Sequence, residues 1–122
     1  MNSRYLGIDH VQLAAPAGCE EEARAFYHGV LGMPEIRKPE SLQRRGGVWF
    51  VCGAQEVHIG VQADFVPAKK AHPAFLVKDL ASLKERPRQH GEALQEAIPV
   101  DGVDRFHAED PFGNRLEFVE RL

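Results

Sequence analysis

The second half of this chain repeats the pattern of the first, and each half carries metal-ligand residue types at corresponding places. The first half runs from Ile8-Asp9-His10-Val11 to Glu56-Val57-His58-Ile59, and the second from His72-Pro73-Ala74-Phe75 to Arg115-Leu116-Glu117-Phe118. His10 and His58 are 48 positions apart (58 − 10), and His72 and Glu117 are 45 apart (117 − 72). Self-similarity at this period predicts a duplicated supersecondary unit. It also sets His10 against His72, and His58 against Glu117. Three imidazoles and one carboxylate make a good donor set for one divalent cation.

The apolar pattern predicts strand, helix and three strands in each half. Gly7 to Ala15 alternates like a strand, and Pro16-Ala17-Gly18 breaks it. Glu20 to Leu31 has an acidic first turn and apolar residues at Ala23, Phe26, Tyr27 and Val30, so it reads as a helix stopped by Gly32. Pro34 to Lys38 reads as a short edge strand and Glu40 to Gly46 as a mobile loop. Val48 to Cys52 and Val57 to Gln62 form a hairpin across Gly53 to Glu56. Ala63 to Lys70 is the expected linker. The second half follows suit, with a strand at His72 to Val77 and a helix at Leu80 to His90, capped by Asp79 and ended by Gly91. Pro87 inside that helix costs ~3 kcal/mol or more in a regular interior, so a kinked or shortened helix is expected. Ala93 to Val100, Asp104 to Ala108 and Leu116 to Arg121 complete the strands, with Asp110 to Asn114 as the last turn. The expected fold class is α+β: two βαβββ modules, about 6–62 and 71–122, in a single domain covering 1–122. Their curled mixed sheet should surround a metal-binding cup.

Strand phase sharpens the ligand set. Val11 and Leu13 alternate with His10, and Phe75 and Val77 with His72. Val57, Ile59 and Val61 alternate with His58, and Leu116 and Phe118 with Glu117. If the apolar residues pack on the helices, all four candidates face the other way, because a strand's side chains alternate between its faces. His28 and His90 fall near helix ends and read as surface residues. His107 has no such support, its phase being ambiguous. Trp49 and Phe50 fit either the cup wall or the core. Arg45, Arg105 and Arg115 are candidates for holding an anionic substrate, although Arg45 lies in the expected loop and Arg115 reads as a solvated strand-edge residue.

Composition excludes several classes. A net charge of −3 with interspersed signs offers no basic stripe for nucleic acid and no polybasic run for a membrane surface. No apolar run could span a bilayer. Cys19 and Cys52 lack the spacing of a disulfide scaffold or a CxxC motif, so a cytoplasmic location is expected.

Four segments resemble the vicinal oxygen chelate superfamily of glyoxalase I, bleomycin-resistance proteins, extradiol dioxygenases and fosfomycin-resistance transferases. They are Ile8-Asp9-His10-Val11, Ala25-Phe26-Tyr27-His28-Gly29-Val30-Leu31-Gly32-Met33, His72-Pro73-Ala74-Phe75, and Asp110-Pro111-Phe112-Gly113-Asn114-Arg115-Leu116-Glu117-Phe118. The resemblance implies one divalent metal (Zn, Ni, Mn, Fe or Co) held by His10, His72 and Glu117, with His58 as a fourth ligand. A small substrate would chelate it through neighbouring oxygens, and Glu117 would serve as the catalytic base. It implies a metal-dependent lyase or isomerase and a homodimer, with each metal site either within one chain or shared between the two. The alternatives are a metal-free binding protein of the bleomycin-resistance type, an extradiol dioxygenase and a fosfomycin-resistance-type transferase. The sequence departs from glyoxalase I at His58, where that enzyme usually has glutamate. It departs again at Ala14, where an arginine grips the glutathione carboxylate. A glutathione adduct is therefore not the expected substrate.

Overall fold

Alternation of apolar and polar side chains gives eight strands among the described residues, sorted by the linker into two sheets. A computed structural model describes residues 4–89 and 94–122. In the first half, β1 (His10–Ala15) lies parallel to β4 (Gln55–Val61). The sheet continues through β3 (Val48–Cys52) to a short edge strand, β2 (Glu35–Ile36). The second half repeats this order. There β5 (Ala74–Leu76) lies parallel to β8 (Arg115–Arg121), which pairs with β7 (Val103–Glu109) and through it with β6 (Leu94–Glu96). Two four-stranded mixed sheets, each with its helical segment between the first two strands, give the expected α+β module pair.

The apolar phases behave as the alternation requires. Leu13, Val48, Phe50, Val57 and Ile59 of the first sheet are buried, as are Phe75, Phe106, Leu116 and Phe118 of the second. Together with Phe26, Tyr27 and Val30 they form one hydrophobic cluster that spans both halves. Phe106 stacks on Phe118 at 4.9 Å between ring centroids, a favourable offset geometry for aromatic pairs.

Polar bonds tie the halves together at the last turn. Tyr27 Oη donates to Asp110 Oδ2 at 2.7 Å with both groups buried. Asn114 Nδ2 donates to the same oxygen at 2.9 Å and to the Ala14 carbonyl at 2.8 Å. Asp110 Oδ1 accepts from the backbone N–H groups of Phe112 at 3.0 Å and Asn114 at 2.8 Å. Four donors thus satisfy one buried carboxylate, which is what burial of a charge demands.

Three expectations require correction. The first helix is α-helical only over Glu20–Ala23 (α1) and continues as a π-helical segment, Arg24–Val30. Its wide turns show in the Leu31 N–H, which donates to Phe26 O at 2.9 Å. The expected stop at Gly32 holds, with φ at +80°. Glu40–Arg45 is not a loop but a 3-10 helix, held at its end by the Gly47 N–H donating to Glu20 Oε2 at 2.6 Å. The hairpin turn is tighter than expected, since Cys52 pairs with Gln55. The second helix, α2 (Leu80–Gln89), keeps Pro87 inside it, fully buried. Asp79 caps it, accepting from Ser82 N–H at 3.3 Å. The carboxylate of Glu120 adds a second cap, accepting from Asp79 and Leu80 N–H groups at 2.9 and 3.0 Å. His90 and the stop at Gly91 lie outside the described residues. Among those described, no helix is long and apolar enough to cross a membrane.

Candidate metal centre

The last hairpin builds the strongest donor cluster. β7 and β8 pair so that His107 lies directly opposite Glu117. β5 runs parallel to β8 with Ala74 beside Glu117, and His72 stands two residues before Ala74. Two strands and the segment leading into β5 therefore bring three side chains together: His72, His107 and Glu117 present donor atoms all within 4.8 Å of one another. Glu117 Oε1 lies 2.9 Å from His72 Nε2 and 3.3 Å from His107 Nε2. Donors on a tetrahedral cation with bonds of about 2.0–2.1 Å stand roughly 3.3 Å apart, so these separations fit a divalent metal.

The hydrogen-bond partners of His72 support the same fit. His72 Nδ1 faces the Lys70 carbonyl at 2.8 Å, and Nε2 faces the Glu117 carboxylate. Both partners only accept. Nδ1 is therefore the donor, and either a hydrogen or a metal bridges Nε2 and Oε1. An imidazole oriented by a carbonyl at one nitrogen is a common arrangement for a metal ligand.

The surrounding charges are unusual. Arg105 Nη1 donates to Glu117 Oε2 at 3.1 Å. Burial acts to raise the Glu117 pKa, but the hydrogen bonds from His72 and Arg105 and the charge of Arg105 outweigh it, holding the carboxyl below its ordinary value. Burial, and then the Arg115 charge, lower the His107 pKa against the opposing pull of Glu117, so the ring is neutral at pH 7. Arg115 Nη2 approaches His107 Nε2 at 3.3 Å, and Arg115 Nε is buried with no hydrogen-bond partner among the described residues. Arg115 is thus half-buried beside the cluster rather than solvated at a strand edge. His107 must shed the Arg115 contact before Nε2 can bind a metal, because one lone pair cannot serve both.

The first sheet carries the other two candidates. His58 is buried although it faces away from the core, because Trp49 stacks on it at 3.7 Å and His10 at 4.1 Å. His58 Nε2 lies 2.9 Å from Glu56 Oε1, and His10 Nδ1 lies 2.9 Å from Asp9 Oδ2. The sequence candidates are therefore brought together as two pairs, His10 with His58 and His72 with Glu117, on two different sheets. Neither His10 nor His58 belongs to the three-residue donor cluster. His28, as expected, is exposed, with Nδ1 2.9 Å from Met33 O. Phe50 is core, and Trp49 stacks on His58 on the face away from it.

His107, Glu56 and the arginine contacts are what sequence reasoning missed. His107 alternates with Phe106 and Ala108, both buried, and counting outward from the Asp110 to Asn114 turn sets it opposite Glu117. That signal was present in the sequence. The Arg115 contact had none, since nothing local distinguishes it from a solvated arginine.

Comparison with known proteins agrees with the fold. The family model for the Glyoxalase/Bleomycin resistance protein/Dioxygenase superfamily matches residues 7–118. The chain belongs to that superfamily. A glyoxalase family protein of known structure from Bacillus anthracis is 53% identical, with a TM-score of 0.96 and coverage of 100% of both chains. A lactoylglutathione lyase from Agrobacterium tumefaciens is 23% identical, with a TM-score of 0.74 over 97% of this chain and 96% of that one. The fosfomycin resistance protein FosX from Listeria monocytogenes, solved as a mutant with Mn(II) and a dihydroxypropylphosphonic acid, is 18% identical. Its TM-score is 0.78, over 97% of this chain and 94% of that one. At these lower identities the likeness concerns the fold alone. No curated protein matches.

Proposed function

We propose that this chain is a metal-dependent lyase or isomerase acting on a small oxygen-chelating substrate. The observation that carries this reading is the His72 Nε2–Glu117 Oε1 contact at 2.9 Å, with His72 Nδ1 already committed to the Lys70 carbonyl. His72 and Glu117 hold one divalent metal, with His107 beside them. His10 and His58 complete the donor set. Because the two pairs lie on different sheets, the full site is shared between two copies of the chain, the first sheet of one facing the second sheet of the other. Exposed apolar side chains near both half-sites, Ile8 and Leu76, suit such a pairing.

When bound, a divalent cation supplies Lewis-acid polarisation of a chelating carbonyl or enolate oxygen. The chain's own groups supply the proton chemistry. Glu117 is ionised at neutral pH and can take a proton from a carbon or hydroxyl beside the polarised oxygen. Arg105 fixes Oε2, so Oε1 is the atom that would hold the metal and, once Glu117 leaves it, accept the proton. Trp49 and His10 hold the His58 ring in one orientation, which lowers the entropy lost when it takes up a ligand.

The test is metal analysis of protein purified without added metal, followed by turnover assays with Mn, Fe, Ni, Co and Zn supplied in turn. The reading expects metal near one equivalent per site and metal-dependent turnover of a hydroxy-keto or diol compound. It expects weak or no turnover of the glutathione hemithioacetal of methylglyoxal, since Ala14 offers no cation to the glutathione carboxylate. Losing such a contact typically costs ~1.5–3 kcal/mol, or roughly one to two orders of magnitude. A second reading, a metal-free small-molecule binding protein, is favoured by one observation. The Glu117 carboxylate already has the Arg105 guanidinium as its counter-charge. Absence of metal after reconstitution selects that reading.

A further inference from the structure

The ligand-facing side of the first sheet has a row of side chains next to a row with almost none. Trp49, His58 and Gln12 lie side by side across β3, β4 and β1. The adjoining row holds Gly60 with Ala14 as its register partner, and Gly47 against the Gly60 main chain. These small residues are required there. A Cβ on Gly47, whose φ is +87°, would sit 2.1 Å from the Ile59 carbonyl oxygen. One on Gly60 would sit 2.6 Å from Gln12 Nε2. The missing side chains leave a hollow of about 200 Å³, walled by Trp49, Gln12 and Gly60 and overhung by Lys38, Leu42 and Arg45.

Its polar groups are cationic or neutral donors. Lys38 Nζ donates to the Gly46 carbonyl, which leaves two of its three hydrogens for another acceptor. Arg45 closes the 3-10 helix, and its guanidinium makes no hydrogen bond or ion pair with any described residue. The nearby Glu20 carboxylate is committed to the Gly47 N–H. An ammonium, an unoccupied guanidinium and a side-chain amide around a hollow of this size match a small oxyanion.

We propose that this hollow binds the anionic head group, a carboxylate or a phosphonate, of the molecule whose other end reaches the His58 side of Trp49. The cation that Ala14 does not provide thus comes from the opposite end of the row, through Lys38 and Arg45. The direction in which the substrate points rests on the proposed function; the oxyanion site itself does not.

The test uses metal-stripped full-length protein, so that it is independent of the metal reading. Trp49 is the chain's one tryptophan and lines the hollow, so its emission reports occupancy. The protein is titrated at low ionic strength with malonate, with methylphosphonate, and with malonamide as the uncharged counterpart. Saturable change with at least one oxyanion and none with malonamide is expected, and the tighter oxyanion identifies the head group. Lys38→Ala and Arg45→Ala should each raise Kd about tenfold, as loss of a charge-assisted contact does. Gly60→Ala, which drives Gln12 into the hollow, should weaken binding too, while Arg44→Ala should leave it unchanged. Each variant is checked for a wild-type circular dichroism spectrum and wild-type metal uptake. No saturable response from the wild type, an equal response to malonamide, or unchanged Kd in both cation variants overturns the proposal.

Discussion

Asp110 is the residue on which the two halves depend. Its carboxylate is buried and takes four donors, two of them side chains from different parts of the fold. Removing the Tyr27 hydroxyl leaves that charge short of one partner, so Tyr27→Phe should lower stability by about 1.5–3 kcal/mol, read from urea denaturation. The same contact makes stability fall at high pH. Burial, and then the Asp110 charge, push the Tyr27 pKa well above its ordinary value of 10.0. The unfolded chain releases that proton near pH 10 while the folded chain keeps it. The folded state then binds more protons, so the stability present below pH ~10 declines as the pH rises beyond it. Tyr27→Phe should flatten this alkaline decline, and an unchanged slope would locate its origin elsewhere.

At the scale of elements, α2 shows how capping offsets a local fault. Pro87 lacks the N–H that would bond one turn back, yet the helix persists to Gln89 with Pro87 buried. Its start is secured twice, by Asp79 and by Glu120 reaching over from β8. Asp79→Ala should cost about 0.5–2 kcal/mol, the usual loss of an N-cap. The low end is expected, because the Glu120 contacts to the backbone remain. A loss of cooperativity in thermal unfolding, rather than a shifted midpoint, would mean that α2 melts separately. Elements of this kind were legible to different depths. Strands with strict alternation, such as β4 and β8, follow directly from the apolar period. The π-helical segment does not, because Ala23, Phe26, Tyr27 and Val30 fit one buried face under either hydrogen-bond pattern. The 3-10 helix at Glu40–Arg45 is hidden by polar composition, since the tie to Glu20 that anchors its end spans 27 positions. Of the candidate site, repeat and phase singled out His10, His58, His72 and Glu117 as one set of candidates. Their separation onto two sheets could not, because the linker's path decides it.

Across the whole molecule, one apolar core lies between helices and sheets, and the faces that carry the candidate ligands point away from it. Those faces carry His10 and Ile8 on one sheet, and His72 and Leu76 near the other, all at least partly open to solvent. A homodimer that covers both faces is the expected assembly. Sedimentation at micromolar concentration should show a dimer, and Leu76→Asp should shift it towards monomer while leaving the far-ultraviolet spectrum unchanged. A wild-type monomer that still binds one metal per chain would exclude a shared site and confine the ligands to His72, His107 and Glu117.

The central claim is that His72 and Glu117 hold a metal. It is tested most directly by measuring bound metal in the folded wild-type, His72→Ala and Glu117→Ala proteins after reconstitution with each divalent ion and desalting. Neither side chain belongs to the hydrophobic core, so both variants should stay folded. The account predicts about one metal per site in the wild type and essentially none in either variant. Wild-type metal content in both folded variants would contradict it.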